Sequence, residues 1–187
     1  MKYKFKFGYR ELVASILGIT LFFGLTTFRV PFEIIPATAI QVRYALLAVL
    51  SAIYGPIVGF VIGFFGHMIA DLLFYDKLYM AWVIADGVLG LGIGWFYHRY
   101  DVLEGEFNIK KAGFFNVVQL MFNALSWIVI APTLDALVFG EEVLRTYTQG
   151  FFAFIVDILT IGILGTAILF AVSSLKKSWL AMENKED

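Results

Sequence analysis

The feature that most constrains this chain is a series of apolar segments, each close to the length of a membrane span. An α-helix needs about 20 predominantly apolar residues to cross roughly 30 Å of hydrocarbon. Six segments meet or approach that requirement: residues 10–28, 38–54, 56–75, 79–97, 112–131 and 150–172. Of the 187 residues, 60% are hydrophobic, whereas soluble domains contain about 45–50%. The sequence therefore predicts an all-α integral membrane protein built as a six-transmembrane-helix bundle.

Helix-breaking residues separate these segments. They are Pro31 and Pro36 after the first segment, Gly55 and Pro56 after the second, and Pro132 after the fifth. Because Gly55 and Pro56 leave almost no connection, we expect the second and third helices to form a tight hairpin. No linker-like stretch or internal repeat interrupts the chain, so we expect a single transmembrane domain over residues 1–187.

The distribution of Lys and Arg predicts the orientation of the bundle. Cytoplasmic loops of membrane proteins carry an excess of these residues. With the N-terminus inside, ten of them fall on the cytoplasmic side and three in the external loops, while Arg43 lies within a span. The ten are Lys2, Lys4, Lys6, Arg10, Arg99, Lys110, Lys111, Lys176, Lys177 and Lys185, and the three are Arg29, Lys77 and Arg145. We therefore expect both termini in the cytoplasm.

Several other classes of protein fit the sequence poorly. The apolar run after Lys6 is followed by no small-residue cleavage site, so we expect a retained first helix rather than a cleaved signal peptide. The chain has no cysteine and a net charge of −1, which excludes thiolate chemistry and disfavours a nucleic-acid partner. It also has no phosphate-binding glycine loop. We expect a protein that is not an enzyme and holds no metal or cofactor.

The polar residues inside the spans concentrate at one depth. At a rise of 1.5 Å per residue, those of the last five helices fall in one slab near the external surface. They are Arg43, His67, Asp71, Asp86, Gln119, Asn123 and Asp157. A charged residue at the centre of an inserted helix costs ~2.5–3.5 kcal/mol, so these groups must face one another, water or a ligand. Confinement to the outer half indicates an outward-opening pocket, because a pore needs polar residues along its whole depth.

Structural roles remain open for most of these residues. His67 and Asp71, four residues apart on one helical face, also fit a pair that bonds only itself at a helix end. Arg43 and Asp86 also fit a structural ion pair, and Asn123 and Gln119 fit interhelical contacts. Asp157 has no charged neighbour in its own segment, so it is the strongest candidate for a functional role.

A family resemblance rests on the stretch IQVRYALLAVLSAIYGPIVGFVIGFFGHMIADL, followed by AWVIADGVLGLGIGW. The chain resembles the substrate-binding S components of energy-coupling factor (ECF) vitamin transporters, in the branch of riboflavin-type and hydroxymethylpyrimidine-type members. The resemblance implies an outward-facing pocket for a water-soluble vitamin under the first, third and fifth loops. Residues 132–149 form the fifth loop, and their mixture of apolar and acidic residues fits a lid over the pocket. The resemblance also implies a membrane T component and two cytoplasmic ATPases as partners, in the plasma membrane of a bacterium. The family's docking motif of small residues matches Ala14 and Gly18, with Gly18 in place of the usual second alanine.

The ligand is predicted from the chemistry of the expected pocket. Carboxylates and amides at Asp86, Asp157, Asn123 and Gln119 suit a small heteroaromatic ring with amino or hydroxyl donors. Tyr79, Trp82 and Trp127 are positioned to stack on such a ring, and they also fit an interfacial aromatic belt. A hydroxymethylpyrimidine or pyridoxine-like ligand is the first expectation, and riboflavin is the second. The alternatives are a self-sufficient ion-coupled transporter and, less in keeping with the sequence, an intramembrane enzyme.

Overall fold

The computed structural model describes residues 7–31, 39–75 and 77–183. Lys2, Lys4, Lys6, Pro36 and Lys185, which the arguments above use, lie outside these ranges. The described helices are α1 (Tyr9–Gly24), α2 (Arg43–Tyr54), α3 (Pro56–Phe74), α4 (Met80–Gly94), α5 (Tyr97–Tyr100), α6 (Ile109–Asn123), α7 (Ala131–Leu137), α8 (Val143–Thr160) and α9 (Thr166–Glu183). Two short antiparallel strands, β1 (Arg29–Pro31) and β2 (Ala39–Gln41), precede α2, with Val30 paired to Ile40.

Each of the six predicted segments overlaps a helix of the structure. Two of the helices are compound: wide π-type turns at Ala124–Ile130 join α6 to α7, and similar turns at Ile161–Gly165 join α8 to α9. Among the described residues, four helical stretches are long and apolar enough to cross a membrane: Tyr9–Thr27, Pro56–Phe74, Ile109–Leu137 and Val143–Glu183. The structure is thus helical and apolar, as predicted, whereas α2 and α4 are shorter than a full span.

The short helices α2 and α4 are the most enclosed elements of the bundle. With 12 and 15 residues, they extend about 18 and 22 Å at 1.5 Å per residue. Most of their residues are buried against α1, α3 and α6. This enclosure suits membrane depth, where backbone polar groups need partners within the protein.

The predicted boundaries of the last two long helices are wrong. Segments 112–131 and 150–172 were expected to flank a long external loop at 132–149, but the chain there is mostly helical. Pro132 lies in the first turn of α7, directly after the wide turns at Ala124–Ile130, so it does not end the helical path. Only residues 138–142 connect α7 to α8. The expected lid is therefore an extension of two helices.

One end of the bundle gathers three features, and we call it the ribbon end. It holds the β1–β2 ribbon, the α3–α4 connection at 75–79 and the α7–α8 connection at 138–142. β2 packs against α8. An ion pair of 3.2 Å between Lys77 and Glu141 joins the α3–α4 connection to the α7–α8 connection. The opposite end contains the tight α2–α3 turn at Gly55, where φ is +94°, together with α5 and the end of α9.

Glycines let α3 and α4 pack with their backbones almost in contact. A Cβ added at Gly59 would lie within 2.3 Å of the carbonyl oxygen of Gly90, and one at Gly63 within 2.4 Å of that of Asp86. Small residues at such a spacing are typical of closely packed membrane helices. Because the two helices run antiparallel, this contact brings His67, one turn beyond Gly63, beside the carboxylate of Asp86.

Candidate functional site

A histidine bridges two carboxylates between α3 and α4. His67 Nδ1 lies 2.5 Å from Asp86 Oδ2, and His67 Nε2 lies 3.2 Å from Asp71 Oδ1. All three side chains are buried. The pair of His67 and Asp71 thus does not bond only itself, because the other ring nitrogen reaches α4. The bridge joins two helices at the ribbon end of the bundle.

The second oxygens of the two carboxylates have different environments. Asp71 Oδ2 accepts a 2.9 Å hydrogen bond from the backbone N–H of Tyr79, at the start of α4. Asp86 Oδ1 is buried and has no hydrogen-bond partner in the described part of the chain. An unsatisfied buried polar atom is costly, and more so when it is charged. Asp86 Oδ1 is therefore an acceptor that is open to a bound molecule.

Arg43 occupies the start of α2 and contacts neither carboxylate directly. Its Nη1 donates to Thr26 Oγ1 at 3.0 Å and its Nη2 to Tyr44 Oη at 3.1 Å. The expectation of an Arg43–Asp86 ion pair is wrong, because Asp86 pairs with His67 instead. The guanidinium also stacks 4.8 Å from the ring centroid of Phe22. Its Nε is buried without a partner among the described residues, so a free donor accompanies the free acceptor of Asp86.

Two tryptophans lie face to face in the same region. The rings of Trp82 and Trp127 stack with centroids 5.6 Å apart and planes 26° from parallel. Trp127 also meets Tyr44 edge-on at 5.6 Å. The indole N–H of Trp82 donates to Asp135 Oδ2 at 2.6 Å, which ties α4 to α7. These contacts place both rings inside the bundle rather than in an interfacial belt at its surface.

An amide ladder extends from Trp127 along α6. Trp127 Nε1 donates to Asn123 Oδ1 at 3.0 Å, and Asn123 Nδ2 donates to Gln119 Oε1 at 2.9 Å. Gln119 Nε2 reaches the carbonyl of Ile158 on α8 at 3.4 Å. Asn123 is fully buried. These amides join helices, as amides commonly do in membrane bundles, and they also orient the Trp127 ring.

Asp157 on α8 belongs to the same region as these polar side chains. It is 3% exposed and interacts electrostatically with Arg43 and Asp86. The structure thus brings the predicted side chains into one region, which we call the central polar cluster. Its members are Arg43, Tyr44, His67, Asp71, Asp86, Asn123, Trp127 and Asp157. Three other predicted residues adjoin it: Gln119 through Asn123, Trp82 through Trp127, and Tyr79 through its backbone N–H.

Three contributors were missed by the sequence reasoning. Thr26 and Tyr44 hold the guanidinium of Arg43, and Asp135 accepts from Trp82. Tyr44 follows Arg43 directly in the sequence. A phenol group within a span is a signal for a buried hydrogen bond of this kind. Asp135 was assigned to a loop, so its burial was not expected. A better boundary for the fifth helix would have placed it with the other polar groups.

The two predicted docking residues lie inside the fold. Ala14 and Gly18 are both buried in the contact of α1 with its neighbours. A Cβ at Gly18 would come within 2.3 Å of Ile62 Cδ1 on α3. The lipid-facing side of α1 carries larger residues instead, among them Leu12, Ile16 and Leu17. The small residues therefore set the distance between α1 and α3, and their role in docking stays a prediction.

Two cavities of the structure lie away from the central polar cluster. One is small and lined by Glu11, Tyr54 and Tyr97. The other, of about 520 Å³, is lined by residues of the 101–108 connection and α9, including Phe107 and Lys177. The outward-opening pocket that the resemblance implies stays a prediction. Among the described residues, no group of three or more His, Cys, Asp or Glu is arranged to hold a metal ion.

Comparison with known proteins assigns the chain to a family. Residues 6–174 match the sequence profile of the family described as "ECF-type riboflavin transporter, S component". The chain belongs to this S-component family. The chain is also similar to proteins named "UPF0397 protein". That of Clostridium perfringens (strain SM101 / Type A) is 35% identical over 96% of this chain and 98% of the relative. That of Lactobacillus gasseri is 40% identical over 91% of this chain and 94% of the relative. No solved structure matches the chain.

Membership of the S-component family carries consequences at a coarse level. It supports a role as a subunit of a vitamin transporter, and it implies a membrane T component and ATPases as partners in general. The family consists of transporter subunits and is not a class of enzymes. The relatives' names state no ligand, so the substrate has to be argued from the central polar cluster.

Proposed function

We propose that this S component binds a small, water-soluble vitamin or vitamin precursor at the central polar cluster and delivers it to an ECF-type importer. The observation that carries the proposal is the pair of unsatisfied buried atoms, Asp86 Oδ1 and Arg43 Nε. Buried polar atoms without partners are rare in native structures and call for an explanation such as a ligand. A bound molecule with one donor and one acceptor satisfies both.

The proposal includes a topology. We propose one domain over residues 1–187 that crosses the bacterial plasma membrane six times, with both termini in the cytoplasm. The excess of Lys and Arg in the segments that include the termini supports this orientation. The ribbon end then faces outward, and the ligand enters beside the connections at 75–79 and 138–142. The enclosure of α2 and α4 explains how two short helices take part in a six-span bundle.

The charges of the cluster indicate the class of ligand. Asp71, Asp86 and Asp157 outnumber Arg43 and His67 even when both of the latter are charged. A vitamin with its own carboxylate would add to this excess, whereas a neutral ring leaves the charge unchanged and stabilises the carboxylates through charge-assisted hydrogen bonds from its amino or hydroxyl donors. An aminopyrimidine edge presents an amino donor beside a ring-nitrogen acceptor, the pattern that Asp86 Oδ1 and Arg43 Nε require.

A hydroxymethylpyrimidine or pyridoxine-like molecule is therefore the proposed ligand. The stacked indoles of Trp82 and Trp127 supply a flat aromatic surface for a single ring. Asp157, Asn123 and Gln119 supply further acceptors on the α6 and α8 side. Riboflavin is the second candidate, because the family description names it and because its ring system also presents a donor beside acceptors.

The proposed partners are a membrane T component and two cytoplasmic ATPases. The chain lacks a nucleotide-binding loop of its own, so energy must come from other subunits. The polar residues cluster toward the ribbon end, which does not favour a self-sufficient ion-coupled transporter. For docking, Ala14 and Gly18 act through the shape of α1, because the side chains exposed along α1 are larger ones.

The test is a search for a co-purified ligand, followed by binding measurements. Native mass spectrometry of the detergent-purified protein is expected to show a bound molecule of vitamin size. Calorimetry with hydroxymethylpyrimidine, pyridoxine and riboflavin then ranks the candidates. Asp86→Asn is expected to weaken binding about tenfold to a hundredfold, as for the loss of a hydrogen bond to a charged group.

Glu142→Gln is the matched control, since it makes the same chemical change at an exposed carboxylate on the α7–α8 connection. We expect its affinity to equal that of the unmodified protein. The proposal fails if Asp86→Asn binds every ligand as tightly as Glu142→Gln does.

A further inference from the structure

His67 makes a contact that few buried histidines make, because both of its ring nitrogens face carboxylate oxygens. Nδ1 lies 2.5 Å from Asp86 Oδ2 on α4, and Nε2 lies 3.2 Å from Asp71 Oδ1 on α3. Both carboxylates are almost completely buried. Water therefore does not compete for either contact.

This geometry restricts the protonation of the ring. A neutral imidazole has one N–H donor and one acceptor nitrogen, whereas the imidazolium donates from both nitrogens. A carboxylate is an acceptor only, so a neutral ring would leave one nitrogen lone pair directed at a carboxylate oxygen. With the imidazolium, both contacts become charge-assisted hydrogen bonds.

The surroundings of the ring contain one further charge. Asp71 on its own helix and Asp86 on α4 are the groups in contact with it, and the Arg43 guanidinium on α2 interacts with it electrostatically. Two carboxylates in direct contact outweigh one guanidinium at longer range, since the Coulomb energy falls with distance. These charges therefore favour the imidazolium, against the cost of burying a charged ring.

We propose that His67 is a doubly protonated positioning residue, which bonds Asp86 Oδ2 and turns the free oxygen of that side chain, Oδ1, toward the ligand. The part of this inference that concerns the ligand rests on the proposed function. The protonation of the ring does not. The imidazolium bonds Oδ2, which leaves Oδ1 as the acceptor for an incoming donor.

The imidazolium of His67 also links the proposed ligand site to the ribbon end. Asp71, fixed by His67 Nε2, accepts from the backbone N–H of Tyr79 where α4 begins. The second contact of Asp71 is thus with the connection at 75–79, which borders the proposed entrance. Loss of the proton from His67 would remove one of its two contacts, so ligand binding is expected to weaken as pH rises through the pKa of the ring.

The first experiment determines the protonation without any ligand. His98→Gln leaves His67 as the single histidine of the chain, once any purification tag is removed. In ¹⁵N-labelled, ligand-free protein at neutral pH, nitrogen NMR is expected to show a proton on both ring nitrogens of His67. A spectrum with one protonated and one unprotonated nitrogen overturns the proposal, whether or not a vitamin is found to bind.

The second experiment measures positioning. Binding of hydroxymethylpyrimidine, pyridoxine and riboflavin is measured against pH for the unmodified protein, His67→Gln and His98→Gln. We expect His67→Gln to weaken binding by about tenfold to a hundredfold and to abolish the decline at high pH, while His98→Gln keeps the original profile.

A merely structural histidine predicts another result. His67→Gln would then lower the melting temperature and leave the affinity and its pH profile unchanged, and that outcome overturns the positioning role. If none of the three vitamins binds the unmodified protein, the proposed function fails, and the NMR experiment alone still decides whether His67 carries two protons.

Discussion

The close packing of α3 on α4 predicts the effect of adding a side chain at Gly63. A Cβ at this position would lie 2.4 Å from the carbonyl oxygen of Asp86, whereas carbon–oxygen contacts are ordinarily about 3.3 Å or longer. In Gly63→Ala, α3 and α4 must therefore part by about 1 Å, because the obstacle is backbone and does not rotate away. Overpacking of this kind costs ~1–3 kcal/mol.

Gly113→Ala is the matched control. Gly113 also lies within a helix, α6, but a Cβ there meets nothing within 4 Å. Replacing an unobstructed helical glycine by alanine is favourable by ~0.5–1 kcal/mol. Thermal unfolding in one detergent is expected to show a lower midpoint for Gly63→Ala and an equal or higher midpoint for Gly113→Ala.

The separation of α3 and α4 also has a consequence for binding. Parting the helices moves Asp86 away from His67, so Gly63→Ala is expected to weaken vitamin binding as well. If Gly63→Ala unfolds at the same temperature as Gly113→Ala, the close packing of α3 on α4 is refuted, and the geometry of the His67 bridge with it.

Three further predictions concern the cluster and α1. Asp71→Asn is expected to weaken binding about tenfold to a hundredfold by calorimetry, with the fold retained; a lower melting temperature at unchanged affinity would identify a structural pair. Trp82→Phe leaves Asp135 without its indole donor, at a cost of ~1–3 kcal/mol in unfolding free energy, whereas Trp179→Phe, at an exposed site, keeps a ring beside Lys176 and should change it little. Gly18→Leu is expected to destabilise the isolated subunit because Ile62 occupies the space; if it melts normally in detergent and fails only to capture the T component in a pull-down, Gly18 faces the partner.

Much of the fold was predictable because membrane helices are specified by long apolar runs. The helical, apolar character of the bundle and the approximate positions of its helices followed from that signal. The continuation through Pro132 was not predictable from composition, since a proline in the first turn of a helix and a proline in a loop look alike in sequence. The wide turns around Trp127 depend on packing against Gly150, where a Cβ would meet the carbonyl oxygen of Trp127.

Most members of the central polar cluster, Tyr44 excepted, were also predictable, whereas their pairing was not. Depth along each helix placed Arg43, His67 and Asp86 in one slab, because rise per residue is fixed. Which of them touch depends on the rotation of each helix and on the close approach at Gly63. For that reason the sequence suggested an Arg43–Asp86 pair, and the structure has His67 in that position.

The energy coupling of transport tests the account most directly. Proteoliposomes with the purified protein alone, and with T component, ATPases and ATP added, are supplied in turn with radiolabelled hydroxymethylpyrimidine, pyridoxine and riboflavin. The account predicts binding without accumulation by the protein alone, and accumulation only in the complete, ATP-supplied system. Uphill uptake by the protein alone, driven by a proton or sodium gradient and abolished by an ionophore, would contradict it.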